Sequence, residues 1–441
     1  MTGQITAAVD AMRRQIHGQS FKTWMGRLSE VSPTRLSTTL SDVAVGEVCR
    51  LRDPRRSREI LSQVVAIRDG EAILAPIGDP SGLSPDTEVI PTREPFGFWA
   101  GEFLLGRILD GLGNPVDGGP LPGRIAERAR IDNPAPDPLA RPVIDTVFET
   151  GIRAIDGILT LGHGQRVGLF GDPGAGKSTL LGAMARHAEA DVVVLALIGE
   201  RGRELREFLD RQVPPDVRGR CVVVASTSDR PAMERIIGAH VATSIAEYFR
   251  DRGKRVLFLF DSVTRYARAL REVGLASGEQ AVRRGFTPSV YSELPRLIER
   301  CGRTPKGDIT AVFTVLTEND GLGDPIAEEI ASITDGHIIL SPKLGQAGHY
   351  PAIDILRSKS RVAVDIVNRD VIKAATEMRR LIAKYREIEL LLQVGEYTPG
   401  GDPVADRAVE KHDAIFEFLA QDHHRKADIA DTFKAMQSTV A

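Results

Sequence analysis

The chain has 441 residues, too long for one compact core and enough for two or three domains. Apolar residues make up 42% of it, which suits a globular protein and argues against a disordered one. With 57 basic against 60 acidic side chains the formal net charge is only −3, so composition supplies no general attraction to nucleic acid or to an anionic membrane.

The N-terminus has no basic segment leading into an apolar one, so no signal peptide is expected. Ile5, Val9, Met12 and Ile16 are spaced as one apolar stripe of a helix, suited either to the protein's own core or to a partner or membrane surface. From 31 to 95 the pattern becomes short and strand-like. Asp69-Gly70 between apolar runs predicts a tight hairpin, and Asp79-Pro80-Ser81-Gly82 and Ser84-Pro85-Asp86 supply further turns. Strands this short and close together predict a small β-barrel.

Residues 96–135 are rich in Gly, Pro and Asp and read as a loop-rich junction. Apolar runs then alternate with helical stretches: Arg166–Phe170, Val192–Ile198, Val222–Ala225, Val256–Phe260, Ile309–Leu316 and Ile338–Leu340. Val/Ile/Leu runs without polar alternation predict parallel strands buried on both faces and joined by crossover helices. From about 366 the pattern is helical, clearest over Ala374–Leu392 and Ala405–Leu419 with a Gly-rich loop between them.

The longest apolar run, Val192–Ile198, falls far short of the ~20 residues that span a bilayer. Cys49, Cys221 and Cys301 are odd in number and form no Cys-x-x-Cys pair, the profile of reduced thiols in the cytosol. The nine histidines show no ligand spacing, and His423-His424 read as solvated side chains in a polar stretch.

Gly171-Asp172-Pro173-Gly174-Ala175-Gly176-Lys177-Ser178 matches the phosphate-binding loop in full. Its glycines let backbone N–H groups wrap phosphates, its lysine reaches the β- and γ-oxygens, and its serine hydroxyl suits Mg²⁺. An apolar strand ending in Asp261 is common in isolation, but after a phosphate loop it marks the carboxylate on the metal side. Gly199-Glu200-Arg201-Gly202-Arg203-Glu204 ends another strand. Its charges fit either a water-activating base at Glu200 or ion pairs at a helix start.

The order of these three stretches, completed by Asp261-Ser262-Val263-Thr264-Arg265, resembles the catalytic subunits of rotary ATPases and, more closely, the type III protein export ATPases of flagella and injectisomes. Thr150–Asp156, Gly285–Val290, Asp335–Ile338 and Tyr350–Asp354 support the resemblance, which runs from about residue 30 to 420. It implies an α/β fold: a RecA-like P-loop ATPase domain over 96–362, an N-terminal β-barrel oligomerisation domain over 31–95, and a C-terminal helical domain over 363–441. The amphipathic helix occupies 1–30.

By the same resemblance the loop from Gly171 to Ser178, with Thr179 after it, would bind ATP, and Tyr350 would lie against adenine. Lys177 would hold phosphate, Glu200 would position the attacking water, and Arg201 would lie near the γ-phosphate. Ser178, Glu204 and Asp261 would serve Mg²⁺, and Arg361 is similar to the arginine finger that enters a neighbour's site. From charge alone Arg361 would read as a surface arginine.

The implied assembly is a homohexamer in the cytoplasm at the inner face of the inner membrane, with peripheral membrane association and no nucleic acid. Its partners would be a stator-like regulator, a central stalk protein, the export gate and chaperone–substrate complexes. The C-terminal Tyr385–Leu391 and Gly395-Glu396-Tyr397 look more like the injectisome branch.

Three departures stand out: Asp172-Pro173 in the phosphate loop, Gly278-Glu279-Gln280, and Leu356-Arg357-Ser358-Lys359 near the presumed finger. Asp172 would face phosphate unless turned outward. Three rivals share some features: a rotary synthase subunit, a non-catalytic nucleotide-binding subunit and an RNA-translocating hexamer. A non-catalytic subunit would normally have a neutral residue in place of Glu200. An RNA-translocating barrel should carry stacking aromatics, yet 31–95 contain no Phe, Tyr or Trp.

Overall fold

A computed structural model describes residues 25–40, 42–55, 58–118, 126–317 and 324–441. The apolar stripe Ile5, Val9, Met12 and Ile16 lies outside the described residues. The chain forms two compact units, one ending at Phe96 and one running from Gly97 to Ala441.

The first unit is a closed antiparallel barrel of β1 (Gly26–Val31), β2 (Leu36–Thr38), β3 (Glu47–Asp53), β4 (Arg58–Arg68), β5 (Glu71–Pro76) and β6 (Glu88–Pro95), in the order β1-β2-β5-β4-β3-β6. Period-two alternation builds it. In β3, Cys49 and Leu51 are buried while Arg50 and Arg52 face solvent. Leu28, Leu36, Val64, Leu74 and Val89 complete the barrel core. Closure leaves no free strand edge. The β4–β5 hairpin turns on Asp69 and Gly70 at φ 52° and 80°, the left-handed pair that a two-residue turn between twisted strands requires.

The second unit is built on a parallel sheet. Its strands are β7 (Ile108–Asp110), β8 (Arg166–Gly171), β9 (Val192–Ile198), β10 (Cys221–Ser226), β11 (Arg255–Asp261), β12 (Asp308–Leu316), β13 (Gly336–Ile339) and β14 (Lys359–Ser360). They lie in the order β14-β13-β8-β12-β11-β9-β10-β7, all parallel except the β13–β14 pair. Every residue of β9 is buried, as the unbroken apolar run required. Strand β7 was not legible: three residues inside a Gly- and Asp-rich stretch carry no periodic signal, and only pairing with β10 makes them a strand.

Ten of its helices matter here: α1 (Arg153–Ile158), α2 (Lys177–His187), α3 (Gly202–Gln212), α4 (Ala232–Arg250), α5 (Val263–Ala276), α6 (Pro288–Ile298), α7 (Pro325–Ile333), α8 (Arg369–Val394), α9 (Pro403–Leu419) and α10 (Ile429–Val440). The last three start on capping side chains, Asn368, Asp402 and Asp428, each accepting backbone N–H groups of its own first turn. Helix α8 stops at Gly395, whose φ of 74° suits a left-handed cap. Met378, Leu381, Ile415, Phe418 and Met436 share one apolar core with Ile155, Ile158 and Leu180. The C-terminal helices are thus fastened to the nucleotide-loop side of the sheet. Among the described residues no helix is long and apolar enough to cross a membrane.

Candidate active site

Strands β8, β9, β11 and β12 end on the same side of the sheet, and their carboxyl ends supply the site. Such a rim is where open α/β sheets bind ligands. After β8 the loop 171–176 doubles back, with Ala175 N donating to Asp172 O at 3.1 Å, and feeds directly into α2. Gly174 and Gly176 stand at φ 83° and 93°, where a side chain would be strained. This brings the free N–H groups at the start of α2 to the loop, an arrangement suited to anions.

Lys177 is only 7% exposed. Its Nζ donates to the carbonyls of Gly171 at 2.6 Å and Asp172 at 2.7 Å. Burial lowers its pKa from the usual lysine range, opposed by the charges of Asp261, Asp172 and Glu200. Asp261, at the end of β11, is buried and accepts from Thr314 Oγ1 of β12 at 2.5 Å. Burial also raises the Asp261 carboxyl, against that hydrogen bond and Lys177.

Glu200 follows β9 through Gly199. Gly199 has φ 74°, and a Cβ on it would fall 2.8 Å from Cβ of Arg265, so the turn demands glycine. The gap admits Arg265, whose Nε stands 2.9 Å from Glu200 Oε1 and whose Nη2 donates to Oε2 at 3.3 Å. Burial first and Asp261 second push the Glu200 carboxyl up to about 7, with Arg265 pulling the other way. Arg201, largely exposed, is the residue before α3 and donates to Glu204 Oε1 at 3.1 Å.

One cavity of about 510 Å³ joins these groups. Gly174, Gly176, Lys177, Ser178, Thr179, Glu200, Arg201, Glu204, Asp261 and Arg265 line it. The buried carboxylate of Asp261 and the half-buried one of Glu200 therefore face Lys177 and Arg265, and phosphate oxygens entering here would meet a loop of N–H donors, two arginines and a lysine. Ser178, Glu204 and Asp261 offer oxygen donors on the same wall, the donor chemistry that Mg²⁺ takes.

A second cavity, of about 380 Å³, shares Gly174, Gly176 and Thr179 with the first. Tyr350, Leu340, Ile152, Leu180 and Pro351 make it largely apolar. A Cβ on Gly176 would sit 3.8 Å from the Tyr350 ring. An aromatic ligand group with a phosphate tail fits across the shared loop.

Four expected residues line neither cavity: Gly171 and Ala175 are buried within the loop, and Asp172 and Arg361 lie elsewhere. The Asp172 side chain does not line the phosphate chamber; its Oδ1 accepts from Thr317 Oγ1 at 3.0 Å, beyond the end of β12. That tie holds the carboxylate off the chamber wall. Arg361 lines neither cavity of its own chain. It follows the edge strand β14, and its Nη2 donates to Ala331 O of α7 at 3.3 Å. Of the other departures, Glu279 accepts from Ser289 N at 3.1 Å, and neither cavity includes it.

Sequence reasoning assigned no role to Arg265, Thr314 or Thr317. Arg265 was visible as a basic residue one turn beyond Asp261. The threonines carried no signal, because a threonine in an apolar strand is ordinary.

Residues 151–360 match the family model of the ATP synthase alpha/beta family, nucleotide-binding domain, and residues 367–438 match that of the T3SS EscN ATPase C-terminal domain. The type 3 secretion system ATPase of Xanthomonas euvesicatoria is 49% identical over 415 residues, 94% of this chain and 93% of the relative. The solved structure of the assembled ATPase EscN from the type III secretion system of enteropathogenic E. coli is similar, with a TM-score of 0.90 and 45% identity over 94% of this chain and 100% of that one. EscN in complex with its central stalk EscO gives a TM-score of 0.87 at the same identity and coverage. By this whole-length likeness the chain belongs to the ATP synthase alpha/beta family and, within it, to the type 3 secretion system ATPases.

Proposed function

We propose that this ATPase powers type III protein export by hydrolysing ATP in the chamber of Lys177, Glu200 and Asp261, with adenine in the neighbouring Tyr350 cavity. The observation that carries this reading is the meeting of all three groups on one cavity wall at the carboxyl ends of parallel strands. Phosphoryl transfer needs positioning and charge stabilisation more than covalent chemistry. The loop from Gly171 to Thr179 positions the phosphates through backbone N–H groups, and Lys177 leaves its two carbonyl partners to reach their oxygens. Arg201 sits at the chamber's exposed side, suited to the γ-phosphate. Glu200 orients the attacking water and takes its proton; its raised pKa makes it a base poised near neutrality. Ser178, Glu204 and Asp261 would hold Mg²⁺, and the ion would supply charge to offset that on the phosphoryl oxygens.

Arg361 points to the assembly. It stands outside its own chamber, at the edge of the sheet, so its role as an arginine finger needs a neighbouring copy. A homohexamer with sites between subunits meets that need, and a trans arginine contributes about 10³–10⁵ in rate in other NTPases. The matched C-terminal domain and the Tyr385–Leu391 stretch favour the injectisome branch over the flagellar one. In that setting the ring works in the cytoplasm, peripherally at the inner face of the inner membrane. It would engage a stator-like regulator, a central stalk and the export gate, releasing chaperones and unfolding their substrates.

Steady-state hydrolysis at rising protein concentration and saturating Mg-ATP tests the reading. Specific activity that climbs with concentration is expected for sites completed by a neighbour. No activity at any concentration would favour a non-catalytic subunit.

A further inference from the structure

The turn between α9 and α10 gathers chemistry that ATP hydrolysis does not use. Asp422, His423 and His424 follow one another there, and one ligand atom from each falls within 4.8 Å of the other two. Tetrahedral zinc with bonds of ~2.0–2.2 Å needs ligand atoms roughly 3.4 Å apart, so small side-chain rotations would close the set. A further imidazole lies against the same turn: His187 Nε2, at the end of α2, is 3.0 Å from His423 O. Arg186 Nη2 donates to that same oxygen at 3.2 Å. Histidines distant in sequence therefore meet where the spacing of either pair signalled nothing.

The turn is held from several sides. Gln421 N donates to Tyr350 O at 2.8 Å, its Oε1 accepts from Arg153 N at 2.8 Å, and its Nε2 donates to Gly151 O at 2.8 Å. Ala427 N donates to Gly151 O at 3.0 Å, so the segment is tied down on either side of the histidines. Asp422 Oδ1 accepts from His424 N at 2.8 Å, which fixes the turn and leaves the second carboxylate oxygen for a ligand. A site whose backbone is fixed in advance loses less entropy on binding.

We propose that Asp422, His423 and His424 bind a borderline-soft divalent transition-metal ion of the zinc class, and that the bound ion narrows the Tyr350 cavity and weakens nucleotide binding. Two imidazoles and one carboxylate favour zinc, cobalt, nickel or copper over magnesium and calcium, which take oxygen sets. Water completes the coordination, since His187 Nε2 is engaged by the His423 carbonyl. The coupling follows from placement: Asp422 and His423 line the same cavity as Tyr350, and the turn is hydrogen-bonded to the Tyr350 backbone. This second half rests on the reading of that cavity as the adenine site.

Isothermal titration of the full chain with zinc chloride, without nucleotide and with excess Mg²⁺ present, reads the metal site alone. One equivalent should bind, and H423Q/H424Q should weaken it about tenfold or more while the thermal unfolding curve stays in place. D422N provides a second variant that changes one atom of the ligand set. If the double variant binds zinc as tightly as the parent, the site is overturned, whatever the protein does with ATP. A fluorescent adenine nucleotide titrated with and without zinc then reads the coupling. Weaker nucleotide binding in the parent, absent in the double variant, is expected. Unchanged affinity in a zinc-loaded parent would overturn the coupling, and failure of the nucleotide to bind without zinc would instead strike the adenine assignment.

Discussion

Arg265 Nε stands 2.9 Å from Glu200 Oε1, so the proposed base is held by an arginine from the helix that follows Asp261. Arg265 is the main group favouring the charged form of Glu200, against burial and Asp261. Removing it should raise the Glu200 pKa further. R265A is expected to shift the rising limb of the pH profile of kcat/KM to higher pH and to lower the rate at neutrality. R265K, which keeps the charge but not the planar fork, should fall between. A profile that stays in place while the rate falls would mean Arg265 acts on substrate and not through Glu200.

Glu200 itself sets the position of that limb. With its carboxyl pushed up to about 7, it is mostly protonated below that pH and mostly free to accept a proton above it. Wild-type kcat/KM, which reports groups of the free enzyme, should therefore rise through about pH 7 as one proton leaves. E200Q should lose roughly 10²–10⁴ in kcat, the usual worth of a positioned base, with nucleotide affinity nearly unchanged. Its residual rate should lack the limb. Hydrolysis by E200Q near the wild-type rate would remove the residue from its role.

Much of this was legible because the signals are local. The phosphate loop is contiguous, the strands of the sheet are unbroken apolar runs, and Asp69-Gly70 sets its own hairpin. Glu200 was ambiguous for the opposite reason. Nothing in Gly199–Glu204 distinguishes a base from a surface ion pair; the raised carboxyl appears only once Asp261 at the end of β11 and Arg265 of α5 are brought beside it and it is taken out of water. Strand β7 and Thr314 were illegible for the same cause: each is defined only by a neighbour far away in sequence. His423 and His424 are solvated, as their polar stretch suggested; what their spacing could not show is that His187 of α2 meets the His423 carbonyl.

Asp172 shows how a local reading can mislead about affinity. An acid in the phosphate loop suggests repulsion of ATP, yet its carboxylate is engaged by Thr317 and lies off the chamber wall. D172A should therefore change the KM for ATP by less than about threefold, and lose about 1 kcal/mol of stability with the hydrogen bond to Thr317. T317V should give a comparable stability loss. In the D172A/T317V double variant the two losses should fall short of their sum, because they share one bond. A large gain in ATP affinity for D172A would mean the carboxylate does face phosphate.

Arg361 admits the sharpest test, because a residue acting in a neighbour's site can be separated from its own. R361A should lose most activity and E200Q nearly all of it, each as a pure protein, while both still bind nucleotide. Mixed before assembly, they should form rings in which an R361A subunit keeps an intact Glu200 and receives Arg361 from an E200Q neighbour. Those sites are complete, so the mixture should hydrolyse ATP faster than the sum of its parts, with a maximum at intermediate ratios. An arginine serving its own chamber could never be restored in this way, since every chain in the mixture carries one defect. Activity that merely interpolates between the two variants would mean that Arg361 does not act in a neighbour's site, and the loss in R361A would then come from its own chain, where it bonds Ala331 at the sheet edge.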